Sequence, residues 1–203
     1  MRAFVIALER EAQTVRPWLG PADRLFVSGV GKVNAAAATA EALCAGADEI
    51  VNVGVCGGFG SAVEVGGIYG VDRAVEYDFD LAELNRTAVG VLNEYETPYL
   101  ECDRRPALEA LAGFGGWRTL ATGDHFNNGE ADYTLISETL GASLRDMEGA
   151  AVAHVCKRAG KRPPLLVKCV TNVAGKGPML AQFGRNESAC LARLSEAMKA
   201  FLA

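Results

Sequence analysis

The sequence has no long apolar run. No stretch of its 203 residues reaches the ~18 unbroken apolar residues of a membrane span. The first run, AFVIAL (3–8), has six residues before Glu9, too few for a signal-peptide core. No basic surplus exists either. Lys and Arg number 20 against 25 Asp and Glu, for a net charge of −5, which argues against a nucleic acid partner. There is no CxxC pair. Six cysteines (Cys44, Cys56, Cys102, Cys156, Cys169, Cys190) are scattered without metal-ligand spacing and read as free, mostly buried thiols of a reducing cytoplasm. The two histidines, His125 and His154, are far apart and make a poor metal site. His154 lies in an alanine-rich stretch and reads as structural; His125, beside Phe126, is a candidate to line a site. A Walker loop is missing, because no GK[ST] follows the glycines of VNVGVCGGFG, and so is an early strand–GxGxxG–helix unit. These absences predict a cytoplasmic protein with no membrane or nucleic acid partner, no metal and no cofactor.

What is present is enough apolar material for a core. Half the residues are hydrophobic and 22% are charged, which suits one folded domain over 1–203. Strand-like and helical stretches alternate. AFVIAL (3–8), RLFVSGVG (24–31), EIVNVGVCGGFG (49–60), GGIYGVDRAVEYDFD (66–80), WRTLATGDHFNNG (117–129) and PPLLVKCVTNVAGKG (163–177) read as strands running into polar or glycine-rich ends. EREAQTVRPWL (9–19), KVNAAAATAEALCAGA (32–47), RRPALEALAGF (104–114), EADYTLISETL (130–140) and NESACLARLSEAMKAFL (186–202) read as helices, and ASLRDMEGAAVAHVCKRAG (142–160) as a short strand feeding one. TAVGVLN (87–93) fits a strand or a loop. The alternation predicts an α/β domain with a largely parallel sheet covered on both faces.

In such sheets ligands bind beyond the carboxyl ends of the strands, so the polar residues there are the candidates. The four glycines of VNVGVCGGFG make a tight turn or let backbone approach a ligand closely. Gly31-Lys32 opens a helix whose N–H groups either are simply capped or face an anion or hydroxyl. Asp146 and Glu148 in RDMEGAAVAHV either favour the helix start electrostatically or accept hydrogen bonds from a vicinal diol. Asn172 ends a greasy run, as turn chemistry or as a ligand contact.

Taken in order, GVGKVNAAAAT, NVGVCGG, VGGIYGVDRAVEYDFD, TGDHFNNG, DMEGAAVAHVC and VTNVA resemble the purine nucleoside phosphorylase and nucleosidase superfamily, on the branch of 5′-methylthioadenosine/S-adenosylhomocysteine nucleosidase and futalosine hydrolase. The resemblance runs from Ala3 to about Ala174. It implies a three-layer α/β/α sandwich around a twisted, partly closed, mostly parallel mixed sheet. It also implies a homodimer or larger homo-oligomer, and cleavage of the bond between ribose and a purine.

By motif, the resemblance makes Glu11 the general base that activates water and Glu148 the ribose-hydroxyl ligand. Met147 lies beneath the sugar, Phe126 stacks on the purine, and the backbone of Asn127 reads its edge. Where the family's phosphorylases carry an arginine and a hydroxyl residue, this sequence has Asn52 and Val55, which favours water over phosphate. Val55 also replaces the serine that the nucleosidases carry. Lys168 stands where they have arginine, keeping the charge without the planar fork. Asn172 replaces the aspartate that protonates N7 of the leaving base, and an amide can only hydrogen-bond there. Asn donates to both N7 and O6 of a 6-oxopurine, yet also fits adenine. The implied activity is hydrolysis of a purine nucleoside, of 6-oxopurine, futalosine-like or methylthioadenosine type. The alternatives are phosphorolysis and nucleoside binding with little catalysis.

Overall fold

The computed structural model describes residues 1–92, 95–126 and 129–203. In chain order the elements are β1 (Arg2–Ile6), α1 (Glu9–Ala12), β2 (Arg24–Val27), α2 (Lys32–Cys44), β3 (Glu49–Gly58), β4 (Ile68–Glu76), α3 (Ala82–Asn85), β5 (Leu100–Glu101), α4 (Pro106–Glu109), β6 (Phe114–Thr122), α5 (Glu130–Tyr133), β7 (Leu144–Asp146), α6 (Gly149–Arg158), β8 (Leu165–Val173) and α7 (Met179–Leu202).

The strands form one eight-stranded mixed sheet in the order β2-β1-β3-β7-β6-β4-β5, with β8 pairing both β3 and β4. Parallel pairs are β1–β2, β1–β3, β3–β8, β4–β6 and β6–β7. Antiparallel pairs are β3–β7, β4–β5 and β4–β8. Because β8 joins β3 to β4, the strands β3, β7, β6, β4 and β8 close on themselves.

Every residue of β8 is buried, as expected of a strand covered on both faces. Leu165, Val167 and Cys169 pack against Leu194 and Met198 of α7. Leu166 and Val170 face Ala150 and Ala153 of α6. Across β1 the same alternation holds: Phe4 and Ile6 join the α7 side, Ala3 and Val5 the side of α2 and α6. Alanines 35, 38 and 42 let α2 lie close to Ala151 and Val152 of α6.

Several elements differ from the sequence expectation. The helical stretch expected from Glu9 and ended by Pro17 is one turn, α1, followed by a 3-10 turn at Arg16–Trp18. Thr14 donates its hydroxyl to Glu11 O at 2.7 Å, drawing off a carbonyl near the helix end, and Pro17 brings no N–H. The short helix expected within 104–114 is the single turn α4 at its start, and Thr134–Thr139 is a π-helical turn. The closing helix begins at Met179 rather than Asn186, directly after Pro178. Residues 87–92 carry no strand, and the end of that stretch, Asn93, lies outside the described residues. All six cysteines are free; Cys44 is exposed and the others are buried. Among the described residues no helix is long and apolar enough to cross a membrane.

Candidate active site

The carboxyl ends of β1, β2, β3, β6, β7 and β8 converge with the start of α7 on a cavity of about 300 Å³. Glu11, Val55, Phe126, Met147, Glu148 and Asn172 all line it. Lys168 does not. Asn127 lies outside the described residues.

Glu11 arrives because α1 is short and turns its second carboxylate inward, where it is buried. Its Oε1 accepts the Val55 N–H at 2.9 Å and its Oε2 the Leu8 N–H at 3.2 Å. Burial pushes the Glu11 pKa up, against the opposing pull of the Val55 N–H and the Lys168 charge. Gly54 makes the fit possible: a Cβ there would stand 2.8 Å from Glu11 Oε1. Gly54→Ala must displace the carboxylate, and kcat/KM for base release is expected to fall by up to about 10²-fold, the scale of a ~1 Å misplacement near the chemistry. Base-release kinetics of the refolded variant would check it; an unaltered rate would show that this placement is not critical.

The turn from β7 into α6 sorts its two carboxylates. Asp146 accepts the Thr122 hydroxyl at 2.6 Å, the Gly149 N–H at 2.9 Å and Lys168 Nζ at 2.8 Å. Thr122 Oγ1 in turn accepts the Ala150 N–H at 2.9 Å. These bonds satisfy the first two N–H groups of α6 and leave Glu148 to reach across to the Gly31 N–H at 2.9 Å. Burial first, then the nearby Asp146 charge, raise the Glu148 pKa to about 7, despite Lys168 and the Gly31 N–H. Lys168, 2% exposed, sits behind Asp146 and also donates to Asn52 Oδ1 at 2.7 Å. Burial disfavours its charge, but Asp146, Glu148 and Glu11 outweigh that and raise its pKa. Asn52 completes the chain by donating to Val5 O at 2.8 Å.

Asn172 is buried at the other end of the cavity. Its Oδ1 accepts the Thr171 hydroxyl at 2.7 Å, and its Nδ2 lies 3.3 Å from Met179 Sδ, a weak acceptor. Gln182 bridges the N–H and C=O of Val173 and the Gly177 carbonyl. This staples the loop after β8 to α7 and brings Leu180 and Phe183 over the cavity. Phe126 stands edge-on to Phe183, with ring centroids 5.6 Å apart.

Sequence reasoning missed Phe183, Leu180, Arg10 and Arg145, which also line the cavity. The early start of α7 hid the first two. Arg145 is buried beside Asp146 on β7, and a charged residue abutting DMEG inside a strand was the available signal. Burial lowers its pKa, opposed by Tyr77, which shares a hydrogen bond with it, and by the Asp132 charge. His125 lines the cavity, while His154 lies away from it with Nδ1 3.1 Å from Glu76 Oε1.

Carboxylates, an amide and aromatic rings gathered beyond the strand ends of an α/β sheet are the layout of a small-molecule enzyme. The chain belongs to the phosphorylase superfamily, whose family model matches residues 24–203. It is 33% identical over 162 residues to 5′-methylthioadenosine/S-adenosylhomocysteine nucleosidase of Marinomonas sp. (strain MWYL1), covering 75% of this chain and 68% of that relative. Its fold matches the futalosine hydrolase of Helicobacter pylori strain 26695 with a TM-score of 0.84 at 17% identity, over 98% of this chain and 96% of the other. The Neisseria meningitidis 5′-methylthioadenosine/S-adenosylhomocysteine nucleosidase, in complex with methylthio-immucillin-A, matches with a TM-score of 0.85 at 22% identity, over 99% and 97%.

Proposed function

We propose that this cavity hydrolyses the N-glycosidic bond of a purine nucleoside, with water as nucleophile and Glu11 as its general base. The chain is an N-glycosidase of the phosphorylase superfamily, in keeping with its named relatives. The reading rests on Glu11, a buried carboxylate held at the cavity wall by two backbone N–H groups, with burial raising its pKa.

Hydrolysis rather than phosphorolysis is supported by the cations around the site, each of which already faces an acidic or phenolic group. Lys168 is paired with Asp146, Arg10 Nε lies 2.5 Å from Glu187 Oε1, and Arg145 is held beside Tyr77 and Asp132. Asn52, at the family's arginine position, is bound within the core. A phosphate dianion would have to displace one of these partners.

In this reading Glu148 accepts hydrogen bonds from the ribose hydroxyls and Met147 lies beneath the sugar. Phe126 stacks on the base, Asn172 and the backbone of Asn127 meet its edge, and Val55 forms an apolar wall. The carboxylates favour the positive charge that grows on the sugar as the bond breaks. Lys168 acts through Asp146 instead of touching substrate. The Thr171 hydroxyl holds Asn172 Oδ1, which leaves Nδ2 as the group offered to the base. That favours a base edge with two acceptors, a 6-oxopurine. The similarity to methylthioadenosine nucleosidases favours an adenine nucleoside as the second reading. Exposed Leu180 and Phe126 at the mouth, at 70% and 44%, suit cover by a second copy, so a homo-oligomer is proposed; the free cysteines suit a reducing cytoplasm, which is the location proposed.

The test is base release by purified protein from inosine, adenosine, methylthioadenosine, S-adenosylhomocysteine and futalosine, with and without phosphate. Release without phosphate is expected. Release only with phosphate would overturn hydrolysis, and binding without release would make the protein a nucleoside-binding homologue.

A further inference from the structure

A ring of bonds outside the cavity joins the two turns that would grip opposite ends of a nucleoside. The first turn, residues 29–32, presents the Gly31 N–H to Glu148. The second, residues 123–126, carries Phe126. The Lys32 N–H donates to Asp124 Oδ1 at 2.9 Å, the Asp124 N–H donates to Asp78 Oδ2 at 3.0 Å, and Lys32 Nζ donates to Asp78 Oδ1 at 2.6 Å. The ring is thus closed, through one lysine and two aspartates. Gly31 has φ +100° and a Cβ on it would stand 3.1 Å from Asp124 Oδ1, so only glycine lets the turns approach this closely.

Lys32 Nζ also reaches Glu76 Oε2 at 3.3 Å, and Glu76 in turn holds His154 of α6. The ends of β4 and β6, the start of α2 and the middle of α6 are therefore referred to one ammonium group. Its side chain is 18% exposed, and removing it would take from the Glu76 and Asp78 carboxylates the counter-ion they share. None of these contacts touches the cavity lining directly, so a role in chemistry has to act through Gly31 and Phe126.

We propose that Lys32 is a positioning residue that sets the distance between the Glu148 end and the Phe126 end of the site, so that one nucleoside engages both. The idea rests on the nucleoside reading above. It makes a distinction that a purely structural lysine does not. A ligand spanning both ends gains from their fixed separation, because the second contact forms without a further loss of freedom. A free base touches one end only and gains nothing.

The experiment compares Lys32→Met and Lys32→Arg with wild type, using the KM of the preferred nucleoside and the inhibition constant of its free base. In Lys32→Met the nucleoside KM is expected to rise about tenfold while the base constant changes less than about twofold. Lys32→Arg, which can still span both carboxylates, is expected to restore most of the nucleoside affinity. If Lys32→Met does not fold, Asp78→Asn keeps the shape and removes one charge, and is expected to show the same split at smaller size. Equal loss for nucleoside and base, or no loss beyond a lower melting temperature, would overturn the role. If the wild type binds nucleosides without cleaving them, dissociation constants replace KM and the comparison stands. If it binds no purine nucleoside, the reading and the role fall together, whereas binding with an unsplit loss sinks the role alone.

Discussion

Glu11→Gln is expected to lower base release by about 10²–10⁴-fold, the usual contribution of a general base, while nucleoside binding stays within a few-fold. The side chains are nearly isosteric, so the wall of the cavity keeps its shape. What changes is proton affinity: an amide cannot take the proton of an attacking water. The two backbone donors matter here. Glu11 accepts from both Val55 and Leu8, but glutamine has one oxygen, so one N–H loses its acceptor and the variant pays a local cost. Comparing melting curves separates that cost from the loss of chemistry. The pH profile gives a second readout. A base must be ionised, and burial raises the pKa of Glu11, so activity falls as pH drops through a range above that of an ordinary glutamate. Glu148, with its pKa raised to about 7, must also be ionised to accept from a diol without donating, and it adds to the same acid limb. Full activity in Glu11→Gln would remove Glu11 from the mechanism.

Much of this site was legible because its residues sit where the chain changes character. Glu11 follows the first greasy run, Glu148 opens an alanine-rich helix, and Asn172 stands next to the last residue of β8. Each is a polar residue at a strand or helix boundary, and those boundaries are readable from hydrophobic pattern. The partners were not legible. Nothing local says that Asp146, rather than Glu148, satisfies the Gly149 N–H, or that the Lys168 charge is taken up by Asp146 and Asn52. The Lys168 contacts join residues far apart in sequence and are fixed by the pairing of β8 with β3 and the closure through β4, and they in turn decide which carboxylate turns to the helix start. The same closure brings Arg145 to the cavity. Short helices were misread for a related reason: α1 and α4 have helical composition, but a proline, a hydroxyl bond back to the backbone, or too few packed residues stops them after one turn. The start of α7 was misplaced because GKGP reads as loop, although Pro178 stands immediately before its first residue.

Asn172→Asp is expected to shift the preference between adenosine and inosine by about 10–10²-fold toward adenosine, the scale of discrimination by one hydrogen-bonded base edge. In the native protein the Thr171 hydroxyl lies 2.7 Å from Asn172 Oδ1 and 3.1 Å from Cys56 O. It has one proton, and the shorter contact directs it to the amide oxygen. The amide nitrogen is then left with Met179 Sδ at 3.3 Å, which satisfies it poorly, and with the ligand. A donor at this place meets an acceptor at N7 of any purine and a second at O6 of a 6-oxopurine, but the 6-amino group of adenine is itself a donor. In the variant, Thr171 still holds one oxygen and the other faces the base. Ionised, that oxygen repels N7 and O6 and accepts from a 6-amino group; protonated, it can hand its proton to N7 as the glycosidic bond breaks. Proton transfer to N7 is open to both nucleosides; the repulsion of O6 and the acceptance from the 6-amino group are what act against inosine and for adenosine. The ratio of kcat/KM for the two nucleosides, measured before and after the substitution, reads the change without reference to absolute rates. An unchanged ratio would mean that base choice is made elsewhere in the cavity, with Arg145, buried beside Asp146, the next residue to substitute.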